Sequence, residues 1–162
     1  MHFAEYDSPV GRLLLGSDGV DLLILQMERN LDVPLTEDSV LLAAKQWLDR
    51  YFQGEVPDLE LPLRPEGTPF QRQVWQILLE IPWGQTRTYG EIARQVAAAL
   101  GKEKMSAQAV GQAVGSNPIS IVIPCHRVVG ARGQLTGYAW GVEKKKWLLE
   151  HEKKQGGTVC AI

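Results

Sequence analysis

The first third of the chain alternates apolar and polar positions with the short period of β-strands and then changes to a helical period. Asp18-Gly19 supplies a tight-turn signal ahead of the last apolar run. Over residues 37–52, apolar side chains recur every three or four positions, which predicts a helix that ends at Gly54. The predicted strands cover residues 3–6, 12–15 and 20–27.

The second part of the chain opens with signals for helix starts. Thr68 and Thr88 each begin a capping box, in which a Gln or Glu follows three residues later. Proline stands at the first helical position after Thr68. Ser106 is the predicted N-cap of a third helix over residues 107–115. The apolar run at residues 119–123 then predicts a strand.

These signals divide the chain into two structural units. Residues 1–67 form a small α+β unit whose last part, residues 55–67, contains three prolines and is typical of a linker. Residues 68–155 form a mainly helical unit, in which two helices joined by a short turn resemble a helix-turn-helix, although any helical hairpin gives a similar pattern. Residues 156–162 are predicted to be a flexible tail.

The composition is that of a globular protein of 162 residues, with 44% hydrophobic and 22% charged residues. No apolar run approaches the ~18 residues of a membrane span, and the N-terminus lacks the plan of a signal peptide. Two cysteines make no disulfide framework, so a cytoplasmic location is expected. The histidines and cysteines lack paired-ligand spacing, so no metal site is expected.

The net charge of −2 conceals two parts of opposite sign. Residues 1–67 hold 5 basic and 13 acidic side chains, whereas residues 68–162 hold 12 basic and 6 acidic ones. The second part is therefore able to bind a polyanion. A solvated, lysine-rich final helix is an alternative explanation for five of those charges, which are Lys144, Lys145, Lys146, Lys153 and Lys154.

Candidate chemistry is concentrated at Cys125, which follows Pro124 and precedes His126 and Arg127. A cysteine is a strong nucleophile only as thiolate, and a neighbouring imidazole and guanidinium are common means of raising the thiolate fraction. The alternative is that Cys125 is an inert, buried apolar residue. Its two neighbours argue against that alternative, because neither is easily buried beside an inert thiol.

The helix predicted at residues 107–115 consists mostly of small side chains and contains Gly111. A glycine within a helix costs about 1 kcal/mol relative to alanine, so its presence needs a reason. One reason is close packing against another helix. The other is that a slim helix fits a narrow groove such as the minor groove of DNA, which is about 6 Å wide.

From Thr68 to Glu152 the chain closely resembles the methylated-DNA–protein-cysteine methyltransferases, also called O6-alkylguanine-DNA alkyltransferases. The most specific shared motif is Pro-Cys-His-Arg-Val at residues 124–128. The resemblance implies an α+β fold: a ribonuclease-H-like N-terminal domain, then a mainly helical domain with a helix-turn-helix (winged-helix-like) motif. The other shared motifs are Ile81-Pro82-Trp83-Gly84, Thr88-Tyr89-Gly90-Glu91-Ile92-Ala93, Ala109-Val110-Gly111, Gly115-Ser116-Asn117-Pro118, Thr136-Gly137-Tyr138 and Lys146-Trp147-Leu148-Leu149-Glu150-His151-Glu152.

The resemblance implies a DNA-repair reaction by direct reversal. Cys125 would attack the alkyl carbon on the 6-oxygen of guanine, with the 4-oxygen of thymine as a second candidate target. His126 would draw off the thiol proton through a water, and Glu152 would orient the imidazole as in a catalytic triad. Without the resemblance, Glu152 would be a solvated carboxylate near a helix end. Because a thioether has no easy route back to thiol, each molecule would act once and need no cofactor.

The resemblance assigns further roles around Cys125. Tyr89 would give a proton to the guanine, Asn117 would tie the helix end to the active loop, and the carbonyls of Cys125 and Val128 would accept the guanine amino group. The implied partner is double-stranded DNA, bound through its minor groove by a monomer. The implied pocket consists of Val114, Val128, Tyr138, Ala139 and Trp140. The implied DNA-binding positions are Gln71, Arg72, Tyr89, Gly90, Gln108, Arg127 and Ala131.

Three positions depart from the family pattern. Gln108 stands where many members have an arginine, Ala139 replaces a pocket serine, and Trp140 stands at a common glycine. The zinc ligands that some members carry in the N-terminal domain are also missing from this sequence.

Three other functions each fit part of the sequence. A non-catalytic lesion-binding relative would lack the reactive cysteine. A cysteine hydrolase could use the same thiol, imidazole and carboxylate. A helix-turn-helix regulator would be expected to display more base-reading side chains over residues 107–115.

Overall fold

The computed structural model describes residues 1–28, 33–135 and 137–160, with side chains described as far as residue 154. The chain begins with an antiparallel sheet in the order β1-β2-β3. The three predicted strands are confirmed, and the turn at Asp18-Gly19 lies between the last two. Their bounds are β1 (His2–Ser8), β2 (Gly11–Ser17) and β3 (Leu22–Met27).

Helix α1 (Ser39–Phe52) packs its apolar face on this sheet. The Asp38 side chain accepts a hydrogen bond from the Leu41 amide at 2.8 Å and caps the helix. Because Asp38 is the cap, the helix begins two residues later than predicted. Its buried residues include Leu48 and Tyr51.

The second unit contains three mutually packed helices: α2 (Pro69–Leu78), α3 (Tyr89–Ala99) and α4 (Ala107–Gly115). Both predicted capping boxes are confirmed, at Thr68 and at Thr88, and Ser106 caps α4. Helix α5 (Val142–Cys160) follows. Two short strands, β4 (Arg87–Thr88) and β5 (Val128–Val129), pair in parallel.

Strand β3 joins the two units. Its Leu22 pairs with Leu63 of the predicted linker, and its Leu25 pairs with Ile119 of the second unit. Backbone hydrogen bonds of 2.9 and 3.0 Å connect Leu25 to Pro118 and Ser120. A single cluster of buried apolar side chains contains residues of both units. The domain boundaries at residues 67 and 155 stay a prediction.

The prediction of a strand at residues 119–123 is wrong. Only Ile119 pairs with a strand, and the next residues form turns, with the Val122 amide bonded to the Ser120 carbonyl at 2.9 Å. Ile121 has a φ of 71°, which is rare for a β-branched residue and ends any extended run. The segment is apolar because it is buried in the core, and burial alone does not specify a strand.

The end of the chain is helical further than expected. Helix α5 continues to Cys160, whereas a flexible tail was predicted from residue 156. The side chain of Cys160 and all of residues 161–162 lie outside the described residues. Over the described parts of the chain, no helix has the length and apolar character needed to cross a membrane.

Candidate active site

Cys125 begins a single 3₁₀ turn, Cys125–Arg127, between the buried loop and β5. Pro124 precedes the turn, and the Val128 amide donates to the Cys125 carbonyl. That carbonyl keeps a second lone pair, so it can still accept a bond from a substrate. Cys125 and His126 are therefore consecutive residues of a turn rather than of an extended strand. No direct hydrogen bond joins their two described side chains.

The Glu152 carboxylate is the centre of a buried hydrogen-bond network. Its Oε2 atom accepts from His126 Nε2 at 2.5 Å and from the Tyr51 hydroxyl at 2.6 Å. Arg127 donates from Nε to Oε1 at 2.8 Å and from Nη2 to Oε2 at 3.1 Å. Glu152 is 0% exposed, so it is not a solvated helix-end carboxylate. Folding thus joins the predicted His126–Glu152 pair across 26 residues.

The surroundings favour an ionised Glu152 and a neutral His126. Burial raises the pKa of Glu152, but the hydrogen bonds from His126 and Arg127 and the charge of Arg127 outweigh it and hold that pKa well below its ordinary value. Burial lowers the pKa of His126 below 6.5, against the opposing effect of Glu152. His126 Nδ1 is buried and makes no hydrogen bond to the protein that the structure describes. The imidazole is therefore held through Nε2 and available as a base through Nδ1.

Arg127 was expected to contact DNA, and its position contradicts that expectation. The residue is buried, and its Nη1 donates to the Ile81 carbonyl at 2.7 Å while its other nitrogens bind Glu152. The guanidinium neutralises the carboxylate that orients His126. The charge of Arg127 is therefore neutralised by Glu152 inside the protein, and the guanidinium is not directed at the Cys125 thiol.

Cys125 is 5% exposed, and its thiol is held protonated in the resting protein. Burial raises its pKa, while hydrogen bonds from Asn117 and Ser120, the Lys145 charge and the Tyr138 hydroxyl oppose that effect only in part. The expectation that His126 and Arg127 raise the thiolate fraction is therefore wrong, because burial dominates. A base must remove the proton during the reaction.

Asn117 ties the end of α4 to the loop that carries Cys125, as the resemblance implied. Its Nδ2 donates to the Ile123 carbonyl at 2.8 Å, and its Oδ1 accepts from the Ile119 amide at 3.0 Å. Both bonds are buried. The Asn117 side chain thereby closes the turn-rich segment between α4 and Cys125.

Tyr89 and Tyr138 lie beside the thiol. The β4–β5 pairing places the first residue of α3, Tyr89, next to the Cys125 turn. Burial and the proximity of Cys125 raise the pKa of Tyr89, so its phenol is protonated at neutral pH. The Tyr138 hydroxyl is buried, finds no partner at normal hydrogen-bond geometry, and has its pKa raised well above 10 by burial and by Cys125. Both phenols can therefore donate a proton.

Lys145 is a residue of the site that was not predicted from the sequence. The alternative explanation of the charge placed it among the solvated lysines, but it is 1% exposed, with its Nζ 5.8 Å from the centre of the Tyr89 ring and 6.0 Å from that of Tyr138. Burial lowers its pKa, and the negative charge that Cys125 carries as thiolate opposes that effect. The signal was available: Lys145, Leu148 and Glu152 follow the three- and four-residue spacing of one helix face.

Replacing Lys145 by methionine is expected to slow alkyl transfer about tenfold. Loss of the buried cation would raise the pKa of Cys125 and disfavour the thiolate, and a tenfold loss of rate corresponds to about 1.4 kcal/mol of activation free energy. Single-turnover transfer and the ultraviolet absorbance of the thiolate against pH measure the two effects. The control is Lys146→Met, since the Lys146 side chain is 64% exposed. Equal rates in the two variants would show that the cation at Lys145 is not used.

The implied pocket residues fall into two groups. Val114 and Val128 are buried in the core. Ala139 and Trp140 line a cavity next to Asn117, and the Tyr138 and Trp140 rings lie 5.9 Å apart. The pocket wall on this side is therefore built from the segment just before α5.

The implied DNA-binding residues, apart from Arg127, reach the surface. Arg72, Gln108 and Ala131 are exposed, while Gln71, Tyr89 and Gly90 are half-buried. The Gln71 side chain also accepts from the Thr68 amide at 2.9 Å. An open groove beside α4 is lined by Tyr89, Ala107, Gln108, Gly111, Gln112 and Gly137.

The two glycines of α4 are not explained by close helix packing. A Cβ atom added to Gly111 would meet only the Tyr89 ring, at an ordinary 3.9 Å, and one added to Gly115 would meet nothing. The helix packs through Val110, Ala113 and Val114 instead. Its slim face is therefore the face that lines the groove.

Among the described residues, no group of three or more histidine, cysteine, aspartate or glutamate side chains could hold a metal ion.

Comparison with known proteins finds relatives over both structural units. The family described as "6-O-methylguanine DNA methyltransferase, ribonuclease-like domain" matches residues 1–65, and "6-O-methylguanine DNA methyltransferase, DNA binding domain" matches residues 69–154. The methylated-DNA--protein-cysteine methyltransferase of Mycobacterium leprae is 46% identical over 160 residues, which are 96% of this chain and 94% of that protein. The Methanosarcina acetivorans protein of the same name is 43% identical over 158 residues, or 94% of this chain and 98% of that protein.

A solved structure shows the same two-domain fold. The crystal structure of Mycobacterium tuberculosis OGT in complex with DNA matches with a TM-score of 0.84 and 44% identity, and the match covers 96% of this chain and 94% of that chain. Matches of this length and identity, over both units and the whole site, show that the chain belongs to the 6-O-methylguanine DNA methyltransferase family.

Proposed function

We propose that this protein repairs DNA by moving an alkyl group from the 6-oxygen of guanine to Cys125. The sulfur–carbon bond forms as the carbon–oxygen bond breaks, so the products are S-alkylcysteine and unmodified guanine. The observation that carries the proposal is the buried His126–Glu152–Arg127 hydrogen-bond network beside the buried Cys125 thiol. The sequence relatives carry the same activity in their names.

The thiol proton is proposed to leave through His126. Nε2 of that ring is bound to Glu152, so the remaining nitrogen, Nδ1, is the acceptor. A water between the Cys125 thiol and Nδ1 would complete the path, since no direct bond joins the side chains. The nearby cation of Lys145 stabilises the thiolate as it forms.

The guanine is proposed to leave as a neutral base. Negative charge develops on the guanine as the carbon–oxygen bond breaks, and the Tyr89 phenol can supply the proton that neutralises it. Tyr89 is suited to this role because it lies beside Cys125 and remains protonated at neutral pH. Hydrolysis of the thioether would have to expel a thiolate, which is a poor leaving group. Each protein molecule therefore acts once.

DNA binding is proposed to occur in the minor groove as a monomer. The slim face of α4 fits a narrow groove, and Gln108 stands beside Tyr89 where it can fill the stack behind an extruded nucleotide. The cost of extruding the base is a few kcal/mol. Phosphate contacts from exposed residues such as Arg72 would make binding salt-dependent and independent of sequence. A cytoplasmic location likewise stays a proposal.

A stoichiometric titration tests the proposed function. Protein is added in steps to a duplex that carries one O6-methylguanine with a labelled methyl group, and label on the protein is counted. The expected end point is one methyl per protein molecule, reached without further turnover. Continued release of product at low protein concentration, or hydrolysis of acyl substrates by Cys125, would favour a cysteine hydrolase. Binding without any transfer would favour a non-catalytic lesion-binding protein.

As the pH is lowered, the rate of transfer is expected to stay at its neutral-pH value past pH 6.5. It should fall only at still more acidic pH. His126 must be neutral to accept the thiol proton, and burial places its pKa below 6.5, so protonation begins later than in an exposed histidine. Single-turnover rates over an acidic pH series measure this, with an unfolding curve at each pH. A rate that halves near or above pH 6.5 while the protein stays folded would contradict the assignment of His126.

A further inference from the structure

The N-terminal unit contributes a side chain to the buried network. Tyr51 belongs to α1 and donates its hydroxyl to Glu152 Oε2 at 2.6 Å, across 101 residues of sequence. The same oxygen accepts from His126 Nε2 at 2.5 Å. Tyr51 is fully buried. The phenol and the imidazole therefore share one carboxylate oxygen.

The Tyr51 ring is fixed in place by aromatic neighbours from both units. Its centre lies 5.5 Å from that of Trp47 in a stacked arrangement, and 5.0 Å from that of Trp83 edge to face. His151 lies 5.3 Å away and also donates from Nε2 to the Tyr51 carbonyl at 2.7 Å. Contacts on these sides restrict movement of the ring and keep its hydroxyl directed at Glu152.

We propose that Tyr51 is a positioning residue for alkyl transfer, because its hydroxyl holds the Glu152 carboxylate in the orientation that directs His126. The inference rests on the proposed function and adds a residue of the ribonuclease-like unit to it. The hydrogen bond also withdraws negative charge from Oε2. The proton between Oε2 and the imidazole then stays on His126 Nε2, which leaves Nδ1 as the base.

The proposal gives the N-terminal unit a chemical role besides packing. Strand β3 holds the loop before Cys125 through Leu25, and Tyr51 holds the carboxylate on α5. The N-terminal unit thus contacts both the loop that leads to the nucleophile and the carboxylate that orients its base. Separation of the units would release both contacts together.

Removal of the single oxygen atom tests the proposal. In Tyr51→Phe, Oε2 regains negative charge and stabilises protonated His126, so the acid limb of the transfer rate should move to higher pH. Transfer at neutral pH should slow about tenfold, as expected for a lost hydrogen bond to a charged group. Single-turnover rates over a pH series, with unfolding curves in urea, measure both effects.

Tyr6→Phe is the matched control. Tyr6 also belongs to the N-terminal unit and donates to a carboxylate, Asp49, at 2.6 Å, but it lies outside the Glu152 network. It should leave the rate and the pH profile unchanged. Tyr51→Phe with the wild-type rate and acid limb would overturn the proposal. Absence of transfer in the wild-type protein would instead refute the proposed function, so the two failures are distinguishable.

A second substitution keeps the test decisive if Tyr51→Phe fails to fold. Site-specific 3-fluorotyrosine at position 51 preserves the hydroxyl and makes it a stronger donor. It should move the acid limb to lower pH, opposite to the shift expected for phenylalanine. A shift to higher pH, or none, would overturn the proposal.

Discussion

Replacing Cys125 by serine is expected to abolish alkyl transfer while DNA binding is retained. A serine hydroxyl is nearly the same size as the thiol, so the buried turn should keep its structure. It is much less acidic and a far weaker nucleophile, so the rate should fall by roughly 10⁶, the loss typical of removing a covalent nucleophile. Quenched single-turnover reactions measure the transfer, and fluorescence anisotropy with a labelled duplex measures binding.

Cys160→Ser is the matched control for this substitution, because it removes the other cysteine of the chain. It should transfer with the wild-type rate. Transfer by Cys125→Ser at even a hundredth of the wild-type rate would show that another group accepts the alkyl. Loss of transfer in Cys160→Ser would point to the second thiol.

Replacing Glu152 by alanine is expected to reduce both stability and rate by large amounts. The change leaves the Arg127 guanidinium buried without its carboxylate and removes the partner of His126 and Tyr51. Breaking a buried ion pair by removing one member costs about 3–5 kcal/mol of the free energy of unfolding. Loss of the group that orients the base should slow transfer by about 10²–10⁴-fold. Urea unfolding and single-turnover kinetics measure the two losses.

Glu150→Ala is the control for this prediction. Glu150 is also on α5, but it is exposed and lies 4.0 Å from exposed Lys146, a surface pair worth about 0–1 kcal/mol. A loss below about 1 kcal/mol in Glu152→Ala, or a rate equal to that of Glu150→Ala, would contradict the structural role assigned to the network. Rapid transfer by folded Glu152→Ala would show that His126 needs no partner.

Local signals in the sequence predicted the helices well. The boxes at Thr68 and Thr88 and the cap at Ser106 are short-range interactions, so the residues that make them are visible in the sequence itself. The run at residues 119–123 was misassigned for the opposite reason. The residues of this run are apolar because they are buried in the core. No signal in the neighbouring sequence indicates the turn at Ile121.

The site residues likewise divide into those that the sequence predicted and those whose positions depend on distant partners. Cys125 and its neighbour His126 were singled out from the local sequence, the role of Glu152 was implied by a family resemblance, and folding brings His126 and Glu152 together. Arg127 was wrongly expected to contact DNA and the burial of Lys145 was not predicted, because a charged side chain is normally assigned to the surface. Their burial depends on partners that lie far away in sequence, and Lys145 could have been found from its helical spacing to Glu152.

Tyr51 could not have been assigned to the site from sequence. It lies on the buried apolar face of α1, where an aromatic side chain normally needs no further explanation. Its partner is 101 residues away in the other unit. Only the docking of the two units brings the hydroxyl to the carboxylate.

The most direct measurement is the mass of the tryptic peptides after reaction with a duplex that carries one O6-methylguanine. Trypsin places Cys125 in the peptide of residues 105–127 and Cys160 in that of residues 155–162. The predicted result is a gain of one CH₂ unit on peptide 105–127, with unmodified guanine recovered in the DNA. A methyl group on peptide 155–162, or loss of the methyl from DNA with no adduct on the protein, would contradict Cys125 as the acceptor.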